Sequence, residues 1–273
     1  MPQKPYFKPL FLFVNICFLS IYSQFSFATD MAKEKRWADQ IVDSLMIGDA
    51  VWLESGKNKF LSLFTESNKA KTVGAVIMVH GIGVHPNWPD VVLPIRSELP
   101  EHGWATLSIQ MPILENGKTS IDYIPLLSEV NGRFAAAVNY LKNKNINNIV
   151  IVAHSLGTTM ANKYLLSNPD QTIRAYVSIS SSSHPDKPEL DNVKKLSKIN
   201  FIPVLDIYGN QDLDSVMHFS KARLVAGTKN NKNYKQVMIK GADHFYQSKN
   251  EQLIKTIRLW LLKAAPGKEI KNK

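Results

Sequence analysis

Four stretches of the chain are apolar at consecutive positions rather than alternate ones: VGAVIMVH (73–80), ATLSIQM (105–111), IVIVAH (149–154) and FIPVLDIYG (201–209). A strand with one wet face would alternate, so unbroken runs of this length predict strands covered on both sides, as in a parallel sheet. Between them, apolar residues three and four apart predict helices over Val91 to Leu99, Val130 to Leu141, Thr158 to Leu166 and Leu190 to Leu196. IRAYVSIS (173–180) and YKQVMIKG (234–241) add two strands, and a final helix over Gln252 to Leu262 turns Leu253, Ile257, Trp260 and Leu261 inward. Upstream, AVWLE and KFLSLFTE alternate around SGKN, which marks a β-hairpin. Trp37, Ile41 and Leu45 at helical spacing, with Thr29 or Asp30 as cap, predict an amphipathic helix from Met31 to Leu45. Strands alternating with helices predict a three-layer α/β domain over residues 29–273, with 268–273 a disordered, solvated tail.

The first residues have a different character. Lys4 and Lys8 precede an apolar run from Leu10 to Tyr22, and SQFSFATD then offers Ser26 and Ala28 as small residues around a cut. This is the anatomy of a signal peptide over 1–28, and the run is shorter than the roughly 20 residues that span a bilayer. Cleavage near Ala28 is expected, with a retained anchor as the alternative; either implies export to the periplasm or beyond. Cys17, the single cysteine, lies in this leader, so the mature chain would hold no thiol, no disulfide and no thiolate metal site. Net charge is +10, and removing the two leader lysines leaves +8. The lysines are scattered through Asn-rich turns such as KNKNINN and GTKNNKNYK, without the interleaved aromatics of a base-stacking surface. No nucleic-acid partner is expected, only weak attraction to anionic envelope surfaces.

Chemistry in such sheets gathers where strands meet their loops at the carboxyl edge. There, Ala153-His154-Ser155-Leu156-Gly157 joins a strand directly to a helix, with small residues two before and two after the serine. That is the requirement of a nucleophile elbow, which exposes the serine hydroxyl at the helix N-terminus. The run 73–80 closes on His80-Gly81-Ile82-Gly83, so the amides of Ile82 and Leu156 are candidates for an oxyanion hole. A serine hydroxyl needs an imidazole to take its proton, and the imidazole needs a carboxylate to orient it. Asp212, beyond the strand ending at Gly209, and His244, after the last strand, supply both in the chain order Ser, Asp, His. Asp214, Asp206 and Asp186 remain alternatives for the acid. His85, Trp88 and Tyr123 are candidate walls of a substrate pocket, and no spacing of His, Asp or Glu points to a metal.

The motifs HGIG, AHSLG, GNQD and GADH at these spacings resemble the α/β-hydrolase superfamily over about residues 50–265. The run from Val79 to Pro112 looks more narrowly like a group of uncharacterised, exported bacterial α/β-hydrolase-like proteins. The resemblance implies a mostly parallel eight-stranded sheet, with Ser155, Asp212 and His244 as a catalytic triad needing no cofactor. Only about twenty residues separate Ser180 from Phe201, too few for a large cap domain. The expected activity is hydrolysis of a small-molecule ester or related acyl bond by a monomer, in the manner of a carboxylesterase or lipase. Thioesterase or peptidase chemistry would use the same residues. The alternative is an inactive hydrolase-fold protein that binds a ligand or partner in the cell envelope.

Overall fold

A computed structural model describes residues 1–3, 28–167 and 169–267. The leader over 4–27 and the tail over 268–273 lie outside these residues. The chain opens with helix α1 (Met31–Asp43), capped by the Asp30 carboxylate on the Lys33 amide, followed by the hairpin β1 (Asp49–Ser55) and β2 (Asn58–Thr65). Then come β3 (Gly74–Val79), α2 (Val92–Glu98) with a 3-10 turn, β4 (Trp104–Ile109), α3 (Leu127–Asn143), β5 (Ile149–His154) and α4 (Leu156–Leu165). The second half runs through β6 (Ile173–Ile179), α5 (Asn192–Leu196), β7 (Val204–Gln211), α6 (Asp214–Met217), α7 (Ser220–Asn230), β8 (Tyr234–Asp243) and α8 (Asn250–Ala264).

These strands form one open sheet of order β1-β2-β4-β3-β5-β6-β7-β8. The hairpin pairs antiparallel at one edge, and every pairing from β4 to β8 is parallel. All six residues of β3, β4 and β5 are buried, as unbroken apolar runs require. Their alternate residues serve opposite layers. Ile77, Val79, Ile151 and Ala153 pack on one side with Phe134 and Leu141 of α3 and Met160 of α4, while Val76, Met78, Val150 and Val152 meet Ile95 of α2 and Leu253, Ile257 and Leu261 of α8. Each large aliphatic residue buried this way contributes about 1.5–3 kcal/mol.

Helix α1 is tied down by charge. Arg133 of α3, buried, forks onto Glu34 at 2.8 and 3.0 Å and also donates to the Gln110 carbonyl at 2.9 Å. A guanidinium sealed from water is tolerable only because its donors find such partners.

Helix α7 was not foreseen by hydrophobic periodicity. Its buried positions are Arg223 and Gly227, not an apolar stripe. Arg223 reaches Asp206 of β7 at 2.9 Å, and a Cβ on Gly227 would run into the Tyr234 ring. The link between β6 and β7 holds only a 3-10 turn (Pro188–Leu190) and α5, so no cap domain rises there.

Candidate active site

The strand β5 ends on His154, and the backbone then turns through Ser155 at φ 54°, ψ −126° straight into α4. That region is essentially reserved for glycine and costs a serine about 1–3 kcal/mol. Space explains the residues on either side. A Cβ on Gly157 would lie 2.5 Å from the His80 carbonyl oxygen, and one on Gly81 would lie 3.1 Å from the Ser155 Cβ. Ser155 itself stays partly accessible, while Leu156, the first residue of α4, presents an amide with no acceptor inside its helix.

The structure brings Ser155, His244 and Asp212 into one hydrogen-bonded line. Strand β7 runs to Gln211 and β8 to Asp243, so the acid and the histidine each follow their strand directly. His244 Nδ1 donates to Asp212 Oδ1 at 2.6 Å. The neutral ring must then accept at Nε2, so the Ser155 hydroxyl, 3.0 Å away, is the donor there. Asp212 also accepts from the Leu213 amide at 2.8 Å and from the Ser180 hydroxyl at 2.5 Å. Burial opposes its charge, but the bonds from His244 and Ser180 prevail and hold the carboxyl below the usual carboxylate value. Of the alternative acids, Asp214 is exposed at the start of α6 and Asp206 is committed to Arg223, Tyr234 and Gln236. Asp186 is exposed in the loop after β6.

Two further histidines support this line without joining it. Met111 donates its amide to His80 Nε2 at 2.9 Å, so His80 Nδ1 carries the proton and donates to the Gly81 carbonyl at 2.8 Å, fixing the turn that leads to Ile82. His154 donates from Nε2 to the His244 carbonyl at 2.9 Å, with the two rings 4.9 Å apart. Burial pulls both down to about 3, so they remain neutral hydrogen-bonding struts.

Of the candidate pocket walls, Tyr123 is placed differently from its sequence expectation, while His85 and Trp88 are half-buried. Tyr123 is buried, and its hydroxyl accepts from the Leu114 amide at 2.9 Å, so it holds loops together and offers no surface to a ligand. His85 sits edge-on between Trp37 of α1 at 5.2 Å and Trp88 at 5.4 Å, a cluster that packs the loop after β3 onto α1. Two apolar residues that sequence reasoning passed over stand at the surface beside the site instead. Phe245 meets the His244 ring edge-on at 5.2 Å and is 39% exposed, and Leu213, next to Asp212, is 51% exposed. Their adjacency to the acid and the base was the available signal.

Sheet order, elbow and the short link after β6 together make the α/β-hydrolase fold, without a large cap. Within it, the chain belongs to the family described as "Protein of unknown function (DUF3530)", which matches residues 22–122 and 125–263. No curated protein matches the chain by sequence. Among solved structures, Est1E from Butyrivibrio proteoclasticus superposes with a TM-score of 0.59 at 19% identity, over 79% of this chain and 98% of that one. Dienelactone hydrolase from Anabaena variabilis gives a TM-score of 0.62 at 21% identity, over 80% and 97%. An α/β serine hydrolase without lid from Xanthomonas campestris gives 0.58 at 12%, over 82% and 97%. At these identities the likeness is one of fold.

Proposed function

We propose that the protein is a serine hydrolase that cleaves an ester or related acyl bond through an acyl-serine intermediate. The observation that carries this is the unbroken line from Ser155 Oγ through His244 to Asp212, at 3.0 and 2.6 Å, on a backbone strained at the serine. The arrangement provides for each step. His244 Nε2 takes the hydroxyl proton as Ser155 Oγ attacks the acyl carbon, and Asp212 stabilises the imidazolium that forms. The oxygen of the tetrahedral intermediate would receive the amides of Ile82 and Leu156, each worth ~3–4 kcal/mol if aligned. His244 then returns the proton to the departing alcohol, leaving Ser155 acylated. Water, deprotonated by the same imidazole, releases the acid and restores the serine.

Nothing in this cycle calls for a metal or an organic cofactor. Phe245 and Leu213 beside the base and acid suit an apolar acyl or aryl group, and the names of the esterase neighbours agree with a carboxylic ester. The leader points to an exported enzyme, working in the periplasm or outside the cell. Labelling by a fluorophosphonate probe tests the reading, with Ser155→Ala as control. The wild type should label and the variant should not; a folded wild type that stays unlabelled, or a variant that labels equally, would overturn it.

A further inference from the structure

Six non-glycine residues have positive φ among those described, and three of them, Ser155, Ser180 and Tyr246, lie within one connected patch at the carboxyl edge. Tyrosine in that region is a genuine outlier. Such strain persists only where something requires the particular side chain. For Ser155 the requirement is the hydroxyl facing His244. For Ser180 and Tyr246, both fully buried, it has to be sought in their partners.

Ser180 directly follows β6 and has one hydroxyl proton. The Oδ2 of Asp212, 2.5 Å away, is a carboxylate oxygen that can only accept, so Ser180 donates there. The Tyr246 hydroxyl, 3.1 Å from Ser180 Oγ, must then be the donor of that second bond. Burial holds the phenol far above its ordinary value, so the proton stays on Tyr246. The turn itself is braced from two sides. Arg223 Nη1 donates to the Ser181 carbonyl at 2.7 Å, and the Thr158 hydroxyl donates to the Ser155 carbonyl at 2.7 Å, so Ser181 Oγ is the donor to Thr158 Oγ1 at 2.9 Å.

We infer that Tyr246 and Ser180 form a buried relay of hydrogen bonds onto Asp212, and that Ser180 is a positioning residue which sets how strongly the acid holds the proton of His244. Its effect on turnover rests on the serine hydrolase reading; its effect on the His244–Asp212 bond does not. Glycine would adopt the Ser180 conformation without strain but would leave Oδ2 with only the Gly209 amide, 3.4 Å away. A donor on a carboxylate spreads its charge. Taking that donor away makes Asp212 a stronger acceptor and a stronger counter-charge for the imidazolium, so His244 keeps its proton to higher pH. The other groups facing His244 leave this unchanged. His154 is neutral, Phe245 is apolar, and the Asp243 carboxylate is turned to the Phe245 and Gln247 amides at 3.1 Å each.

The test uses Ser180→Ala, Ser180→Gly and Tyr246→Phe in the full-length protein. Two readouts are taken: the pH profile of kcat/KM on a short aryl ester, and the low-field proton resonance of the His244 Nδ1–H···Asp212 bond. Both Ser180 variants should move the acid limb of the profile upward by about one unit, lower kcat/KM on the order of tenfold below the plateau, and shift the resonance further downfield. Tyr246→Phe should do the same to a smaller degree. Alanine keeps the backbone strain and glycine relieves it, so a role in folding alone would separate the two variants, whereas the relay makes them alike in pH behaviour. An unmoved limb and an unmoved resonance in folded Ser180→Gly would overturn the inference. If the wild type neither turns over nor labels, yet the resonance shifts in the variants, the relay stands and the hydrolase reading falls.

Discussion

Two neighbouring strands of the sheet run directly into a serine held at the same φ of 54°, and the two ends are built on opposite electrostatic principles. Beneath Ser155, at the end of β5, lie His80 and His154, two buried imidazoles held neutral. Beside Ser180, at the end of β6, lie the Asp212 carboxylate and the sealed Arg223–Asp206 pair. Ser155 remains accessible and heads a helix; Ser180 is sealed and heads a loop. The contrast teaches that strain in the backbone marks a demanded hydroxyl but not what the hydroxyl is for. Accessibility and partners decide that.

The largest expected effect separates these two hydroxyls directly. Ser155→Ala should cut kcat by at least about 10⁴-fold and abolish probe labelling, because it removes the attacking atom itself. Ser180→Ala should cost only about one order of magnitude, and only below the plateau of the pH profile, and should still label. Equal losses in two folded variants would erase the distinction between reacting and positioning serine. Next in size is the acid. Asp212→Asn should lower kcat by ~10⁴-fold, since an amide can no longer fix the imidazole tautomer. Exposed Asp214→Ala should retain activity within about threefold, surface changes being mild as a rule. Steady-state kinetics on one ester decides both, and the reverse ranking would move the acid to α6.

The same pair of strand ends shows what a sequence discloses. Ala153 through Gly157 were legible because the elbow constrains the local string: a β-branched strand, small flanks, then a helix. Gly157 had to lack a side chain with the His80 carbonyl so near, and that necessity is written in the residue. The parallel core was legible for a similar reason, since burial on both faces leaves few polar residues, such as Thr106 and Ser108, among unbroken apolar runs. Ser180 was not. It stands in a run of four serines, and its importance lies in Asp212 and Tyr246, more than thirty positions away. Helix α7 was hidden because its inward face is an arginine and a glycine, a pairing that periodicity scores as polar. Tyr123 misled as a pocket wall because aromatic residues in loops near a site serve equally to pack those loops, and its partner Leu114 cannot be read from spacing.

Acid should unpick the two ends in sequence. Unfolded, His80 and His154 titrate near 6.5; folded, burial holds them to about 3. Between those values the unfolded chain binds the extra protons, so stability declines as pH falls from 6.5 toward 3, by about 1.4 kcal/mol per unit for each ring. Asp212 behaves oppositely in range. Its carboxyl is depressed below 3.8, so its contribution is intact above that value and fades only as pH falls further. Urea denaturation at pH 7, 6 and 5 should therefore show a slope from His80 and His154, joined by His85, which burial lowers to about 4. His154→Gln keeps a donor for the His244 carbonyl and should remove roughly half of the slope contributed by the two histidines; an unchanged slope would show that His154 is not held neutral.

The smallest expected effect is the most discriminating, because it sets the two strained serines against the same replacement. Glycine at either position relieves a backbone cost of about 1–3 kcal/mol and adds about 0.4–1 kcal/mol of freedom to the unfolded chain. At Ser155 little else changes, since Ser155 is itself partly accessible and water can take the hydroxyl's place on His244; Ser155→Gly should be neutral to about 1 kcal/mol more stable while inactive. At Ser180 the same relief is opposed by buried partners left short. Asp212 loses its 2.5 Å donor and Tyr246 its acceptor, each a buried group whose orphaning costs about 1–3 kcal/mol. Ser180→Gly should thus be less stable than wild type by roughly 2–3 kcal/mol. Chemical denaturation of the two variants side by side reads the difference. Should both gain stability, Ser180 would be held at its strained φ by something other than its hydroxyl, and the parallel between the two strand ends would reduce to their backbone.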